Sequence, residues 1–224
     1  MLLTTETIRS WVDRTKAGII VVGNPRCGSH YLTDIIYQSI TDLVDAEYID
    51  EIQNTDADDI TTPTWFMRRM VIAGKYTVST AVIQDVKWSM FNLMNNYNDL
   101  RQNFTIVKLT RDLVDQFMSQ LIKQQMKSVH ANDMFHSGMT PDQFKHLISY
   151  PVTTPLPRIL RFLREHQLLL SLPCDYEVKY SDLSLFTGQT NYHVKNDYGV
   201  GPTEFFEDFN TIKRLFDRVV FHGI

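Results

Sequence analysis

The run Ile19-Ile20-Val21-Val22 passes at once into the glycine-bearing turn Gly23-Asn24-Pro25-Arg26-Cys27-Gly28, and this junction most constrains the fold. Four consecutive β-branched residues read as a short strand buried on both faces. From Gly28 to about Leu43, apolar residues recur at Leu32, Ile35, Ile36, Ile40 and Leu43, the spacing of one helical face. The pattern returns at Phe104-Thr105-Ile106-Val107-Lys108-Leu109, a strand, followed by Leu113, Phe117, Leu121 and Met126 along a helix from Asp112 to Lys127. Between these lies a further cycle, with helices over Pro63 to Ala73 and Ser89 to Leu100 and a strand over Ser79 to Val86. Thr4 or Thr5 caps an opening helix that runs to about Lys16. Helices are expected over Pro141 to Ser149, Leu156 to Leu170 and Thr203 to Val219, and a strand over Tyr176 to Tyr180. The alternation predicts an α/β fold in one domain, 1–224, with a mostly parallel central sheet and helices on both faces.

Composition narrows the function classes. The chain has 224 residues, is 43% hydrophobic, and carries a net charge of -4, which suits a globular core and argues against a nucleic-acid or anionic-membrane binder. Cys27 and Cys174 lack metal-site or disulfide-framework spacing, so reduced thiols in a cytoplasmic setting are expected. No apolar run approaches the roughly 20 residues needed to span a bilayer, and the charged residues Glu6, Arg9, Asp13 and Arg14 do not fit a secretory signal. Thr41 to Met67 contains eight carboxylates and no Lys or Arg, which reads as a solvated loop. Asn191 to Pro202 reads as a loop able to close over a ligand.

A turn that joins a buried strand to a helix N-terminus gathers backbone N–H groups and is a ready site for an anion. The Gly23 to Gly28 spacing matches the nucleotide-triphosphatase loop Gly-x4-Gly-Lys-Ser/Thr. Ser29, however, stands in place of Lys, and His30 in place of the magnesium-binding hydroxyl. The cation instead sits inside the turn, at Arg26, where it can grip an anion that departs without a metal. A nucleotide kinase with its Lys elsewhere, and a non-catalytic nucleotide-binding module, remain as alternatives. A phosphatase that uses Cys27 as nucleophile is excluded, because the Arg it needs six positions later is Thr33.

Pro25-Arg26-Cys27-Gly28-Ser29-His30-Tyr31-Leu32 resembles the Pro-Arg-Ser-Gly-Ser/Thr-Thr-x-Leu loop of the sulfotransferases that use 3′-phosphoadenosine 5′-phosphosulfate. Thr110-Arg111-Asp112 with Gln116 and Ser119 resembles the second motif of that family. Val178-Lys179-Tyr180-Ser181-Asp182-Leu183 is similar to its Tyr-Glu-Asp-Leu segment, and His193 to Tyr198 occupies the place of its basic closing loop. The resemblance implies a three-layer P-loop-like fold that binds this phosphosulfate as sulfuryl donor and needs no metal. It places Arg26, Cys27, Gly28, Ser29, His30 and Tyr31 on the 5′-phosphosulfate, Arg111 and Ser119 on the 3′-phosphate, Tyr180 near the adenine and Lys195 in the closing loop. Cys27 and His30 depart from the family's Ser and Thr. Ala46-Glu47-Tyr48-Ile49 and Asp85-Val86-Lys87-Trp88 resemble segments of bacterial enzymes that sulfate sugars such as trehalose, which implies a hydroxyl-bearing small molecule or glycan as acceptor.

Sulfuryl transfer to a hydroxyl needs a base and cations on the sulfuryl and leaving oxygens. Arg26 is the candidate for the leaving phosphate and Lys87 for the sulfuryl group. Glu47 is the expected base, as the resemblance implies, with His30 the alternative. His130, His136, His146, His166 and His222 lack the i, i+4 pairing of metal ligands and read as surface or packing residues.

Overall fold

The computed structural model describes residues 3–51, 74–83, 97–98, 100–126, 140–183, 185–186 and 199–222. Among the described residues there are five strands: β1 (Gly18–Gly23), β2 (Ala46–Glu51), β3 (Tyr76–Val82), β4 (Phe104–Thr110) and β5 (Tyr176–Lys179). They form one sheet in the order β2-β3-β1-β4-β5, and every pairing is parallel. The helices are α1 (Thr5–Arg9), α2 (Ser29–Ile40), α3 (Leu113–Gln125), α4 (Pro141–Lys145), α5 (Leu156–Ser171), α6 (Tyr180–Leu183), α7 (Pro202–Phe205) and α8 (Phe209–His222). The α/β class and the parallel sheet agree with the expectation from sequence.

The chain groups into two compact units, one of Met1–Arg111 with Leu168–Val194 and one of Asp112–Gln167 with Lys195–Ile224. The first contains the sheet. β1 is its central strand, bonded to β3 on one side and β4 on the other, which is why its apolar run is continuous and buried at every position. Alternate residues serve opposite faces. Ile19 and Val21 pack with Val78, Val107 and Leu109 against Ile8, Trp11, Leu32, Ile35 and Ile36 of the α1 and α2 side. Ile20 and Val22 pack with Ala81 and Ile106 against Tyr97, Leu100, Leu169 and Leu172. β4 buries a lysine, Lys108, whose ammonium donates to the Leu170 carbonyl at 3.2 Å and lies 3.6 Å from Glu177.

The second unit is helical. Phe117 of α3 lies at its centre, with ring centroids 4.9 Å from Phe162, 5.9 Å from Phe206 and 5.6 Å from Phe216. Asp112 caps α3, accepting from the N–H groups of Val114 and Asp115, each at 3.0 Å.

Four expectations change. The opening helix ends at Arg9, not Lys16, and farther on Asp13 turns the chain by accepting from the Thr15 N–H and hydroxyl at 2.9 and 2.6 Å. The acidic segment from Thr41 is not loop throughout, since Ala46–Glu51 is β2, an edge strand with β3 as its bonded neighbour. β3 starts at Tyr76, three residues earlier than expected. The closing helix is divided at Phe206, whose neighbours Phe205 and Glu207 bond through carbonyl and N–H to Val152. The helix expected over Pro63 to Ala73 and most of that over Ser89 to Leu100 lie outside the described residues.

Candidate active site

The strands that follow β1 and β4 lie on opposite sides of that pair: β1 leads by α2 to β2, and β4 precedes β5 at the other edge. Such a reversal opens a crevice outside the carboxyl ends of the strands, where open α/β sheets bind ligands. The turn Asn24 to Gly28 and the residue that follows β4, Arg111, both stand at this edge.

The turn is tightly built. Buried Asn24 donates through Nδ2 to the Ile83 carbonyl at 3.2 Å, fastening the turn to the end of β3, and its own carbonyl accepts from the Cys27 N–H at 3.2 Å. Arg26 has φ of 66°, a left-handed conformation uncommon outside glycine. Gly28 has φ of 94°, and a Cβ there would stand 2.6 Å from Cε2 of the Tyr180 ring, so this glycine is required both by backbone and by packing. Arg111 donates from Nη1 to the Arg26 carbonyl at 3.0 Å, and its guanidinium lies 4.3 Å over the Tyr180 ring. Arg111 Nε is buried without a hydrogen-bond partner among the described residues.

α2 starts from this turn. Gly28 is its N-cap, no side chain caps it, and its first turn holds no acidic residue. The opening N–H groups of a helix have no partners within the helix, and its dipole favours negative charge there. Arg26 lies within this turn, and Arg111 bonds to it. Thr33 holds α2 in place, donating to the Ser29 carbonyl at 2.8 Å and sharing a 2.8 Å hydroxyl contact with Thr80 of β3.

Arg26, Cys27, Gly28, Ser29, His30, Tyr31, Arg111 and Tyr180, which sequence reading assigned to one site, all belong to this edge of the sheet. Tyr31 is near Tyr180 and Asp34, and burial first, then those neighbours, raises its phenol pKa. Ser119 is fully buried in α3, in the second unit. Lys87 and Lys195 lie outside the described residues.

Glu47 is a correction. It pairs with Thr77, which pairs with Gly18 at the start of β1, so Glu47 is level with the opposite end of the strand from the turn. Five residue steps of strand run from Gly18 to Gly23, about 17 Å at 3.3 Å per step, beyond the reach of a glutamate. Glu47 is therefore not positioned to act as a base at Arg26. Two residues that the sequence reading passed over matter instead. Asn24 anchors the turn, and Asp34 is a buried carboxylate one helical turn after His30. The signal for Asp34 was the acidic residue of α2, four positions after His30.

Cys27 is fully buried against Gly23, and burial pushes its thiol up from 9.0 to about 11. It stays protonated near neutrality and is a packing group, not a nucleophile. Because the folded value is the higher one, the stability this thiol contributes is complete below pH 9.0 and is lost as pH rises through about 11. Iodoacetamide at neutral pH is expected to modify the less buried Cys174 and spare Cys27 until the protein unfolds, as read by peptide mass spectrometry. Early alkylation of Cys27 would contradict this packing.

Among the described residues, no helix is long and apolar enough to cross a membrane, and no three His, Cys, Asp or Glu side chains gather as a metal site. Compared with family models, with curated proteins and with solved structures, the chain matches none.

Proposed function

We propose that the protein transfers a sulfuryl group from 3′-phosphoadenosine 5′-phosphosulfate to a hydroxyl acceptor, a small molecule or glycan. The observation that carries this reading is the uncapped turn into α2 with Arg26 inside it and Arg111 bonded to it. It offers backbone donors and cations to a phosphosulfate while lacking the Lys and hydroxyl that a magnesium-dependent triphosphatase loop sets after its second glycine. The strand order supports a P-loop-like arrangement. In both common doubly wound orders β1 pairs directly with β2, whereas here β3 stands between them. The free thiols of Cys27 and Cys174 support a cytoplasmic setting.

In the proposed reaction the acceptor oxygen forms a bond to sulfur as the bond from sulfur to the bridging phosphate oxygen breaks. The acceptor proton passes to a base, and the leaving group is 3′-phosphoadenosine 5′-phosphate. The turn's N–H groups and Arg26 bind the phosphosulfate and stabilise charge growing on the leaving oxygen. His30, in the first turn of α2, is the base. Ser29 binds through its backbone. Tyr180 and Arg111 border the nucleotide, with Lys87 and Lys195 proposed as further cations on the sulfuryl group and the 3′-phosphate. No metal is invoked in this chemistry.

Calorimetric titration tests the binding. 3′-Phosphoadenosine 5′-phosphate is expected to bind at least tenfold more tightly than adenosine 5′-phosphate and to raise the melting temperature, since a ligand of the native state alone stabilises it. Equal affinity for the two nucleotides would remove the 3′-phosphate site from this reading.

A further inference from the structure

Arg111 makes contacts that a nucleotide ligand would not need to make. Its Nη1 bonds the Arg26 carbonyl at 3.0 Å, its guanidinium stacks 4.3 Å over Tyr180, and the Tyr180 ring fills the space beside Gly28. These contacts bracket the two residues of the turn with positive φ, Arg26 at 66° and Gly28 at 94°. A non-glycine residue persists in that region only where its surroundings over-determine it. A carbonyl bonded to a guanidinium is also kept from opposing an incoming anion with its own negative end.

We propose that Arg111 is a positioning residue for the anion turn, holding Arg26 in its left-handed conformation, and that Tyr180 holds Arg111 in turn. The proposal rests on the anion-binding reading of the turn and adds to it a coupling: removal of Arg111 weakens binding of the 5′ group even when the ligand has no 3′-phosphate. The ring of Tyr180, not its hydroxyl, supplies the support, because the guanidinium lies over the ring.

Two readouts test this on the full chain. Amide hydrogen exchange on the free protein follows the turn with no ligand present. Arg111→Ala and Tyr180→Leu are expected to speed exchange of the 24–32 segment by roughly tenfold or more, with Tyr180→Phe close to wild type, since a hydrogen bond to a charged group is lost in the first case. Calorimetry with adenosine 5′-phosphate, which has nothing for a 3′-phosphate ligand to hold, is expected to show a similar loss of affinity in both disruptive variants. If Arg111 only binds the 3′-phosphate, Arg111→Ala exchanges like wild type and loses affinity for 3′-phosphoadenosine 5′-phosphate alone, and the proposal is overturned. Should Arg111→Ala fail to fold by circular dichroism, Arg111→Met, which keeps the length of the side chain and loses its donors, decides by the same criteria. Should wild type bind neither nucleotide, the functional reading fails while the exchange result still decides whether Arg111 positions the turn.

Discussion

Arg26→Ala is expected to lower turnover by about 10²- to 10³-fold at saturating donor, the range seen when one preorganised donor to a developing oxyanion is removed. Charge on the bridging oxygen grows as its bond to sulfur breaks, so an interaction with Arg26 strengthens toward the transition state and the loss falls on kcat rather than on KM. Arg26 stands inside the turn at the N-terminus of an uncapped helix, where its charge adds to the dipole. Its positive φ supplies a control. Arg26→Gly relieves the backbone conformation that Arg26→Ala keeps, so similar losses in the two variants assign the effect to the guanidinium. Arg26→Lys should fall between wild type and these two, because an ammonium carries the charge without the planar fork. Turnover is read as release of 3′-phosphoadenosine 5′-phosphate from the donor in a mixture of hydroxyl acceptors. A rise in KM alone would place Arg26 in binding only.

His30→Gln is expected to cut turnover by about 10²- to 10⁴-fold with donor affinity nearly unchanged, as loss of a general base does. Glu47→Gln is expected to keep near-normal activity, since the pairing of Glu47 with Thr77 and of Thr77 with Gly18 sets it at the far end of the sheet. Loss of turnover in Glu47→Gln instead of in His30→Gln would reverse both assignments.

The contrast between His30 and Glu47 shows what local sequence carries. His30 follows Gly28 by two residues, so its place at the start of α2 is fixed by the turn and the helical periodicity that define the motif. Glu47 follows Arg26 by 21 residues (47 − 26), and chain separation does not give register. The register comes from β3, a strand that lies later in the chain, and pairing with it sets Glu47 level with Gly18. β2 was hidden for a related reason. An edge strand with one bonded neighbour tolerates Glu47 and Asp50, so its composition resembled the acidic stretch around it. β1 and β4 were readable because central parallel strands are apolar throughout, and the helices α2 and α3 because each begins at a distinct start signal, Gly28 in one and Asp112 in the other. The stacking of Arg111 on Tyr180 joins residues 69 apart (180 − 111), each readable as a strand-end residue but not as the other's partner.

Sulfuryl transfer is tested by following the sulfur. The protein is incubated with 3′-phosphoadenosine 5′-phosphosulfate labelled in its sulfuryl group and a mixture of hydroxyl acceptors that includes trehalose, and the labelled species are resolved by chromatography. The account predicts label appearing in a sulfate ester in step with 3′-phosphoadenosine 5′-phosphate, continuing with chelator present and lost in Arg26→Ala. Donor that is bound but recovered intact would identify a nucleotide-binding module without this chemistry, and phosphate transfer from a nucleoside triphosphate that stops with chelator would identify a kinase. Either result would contradict the account.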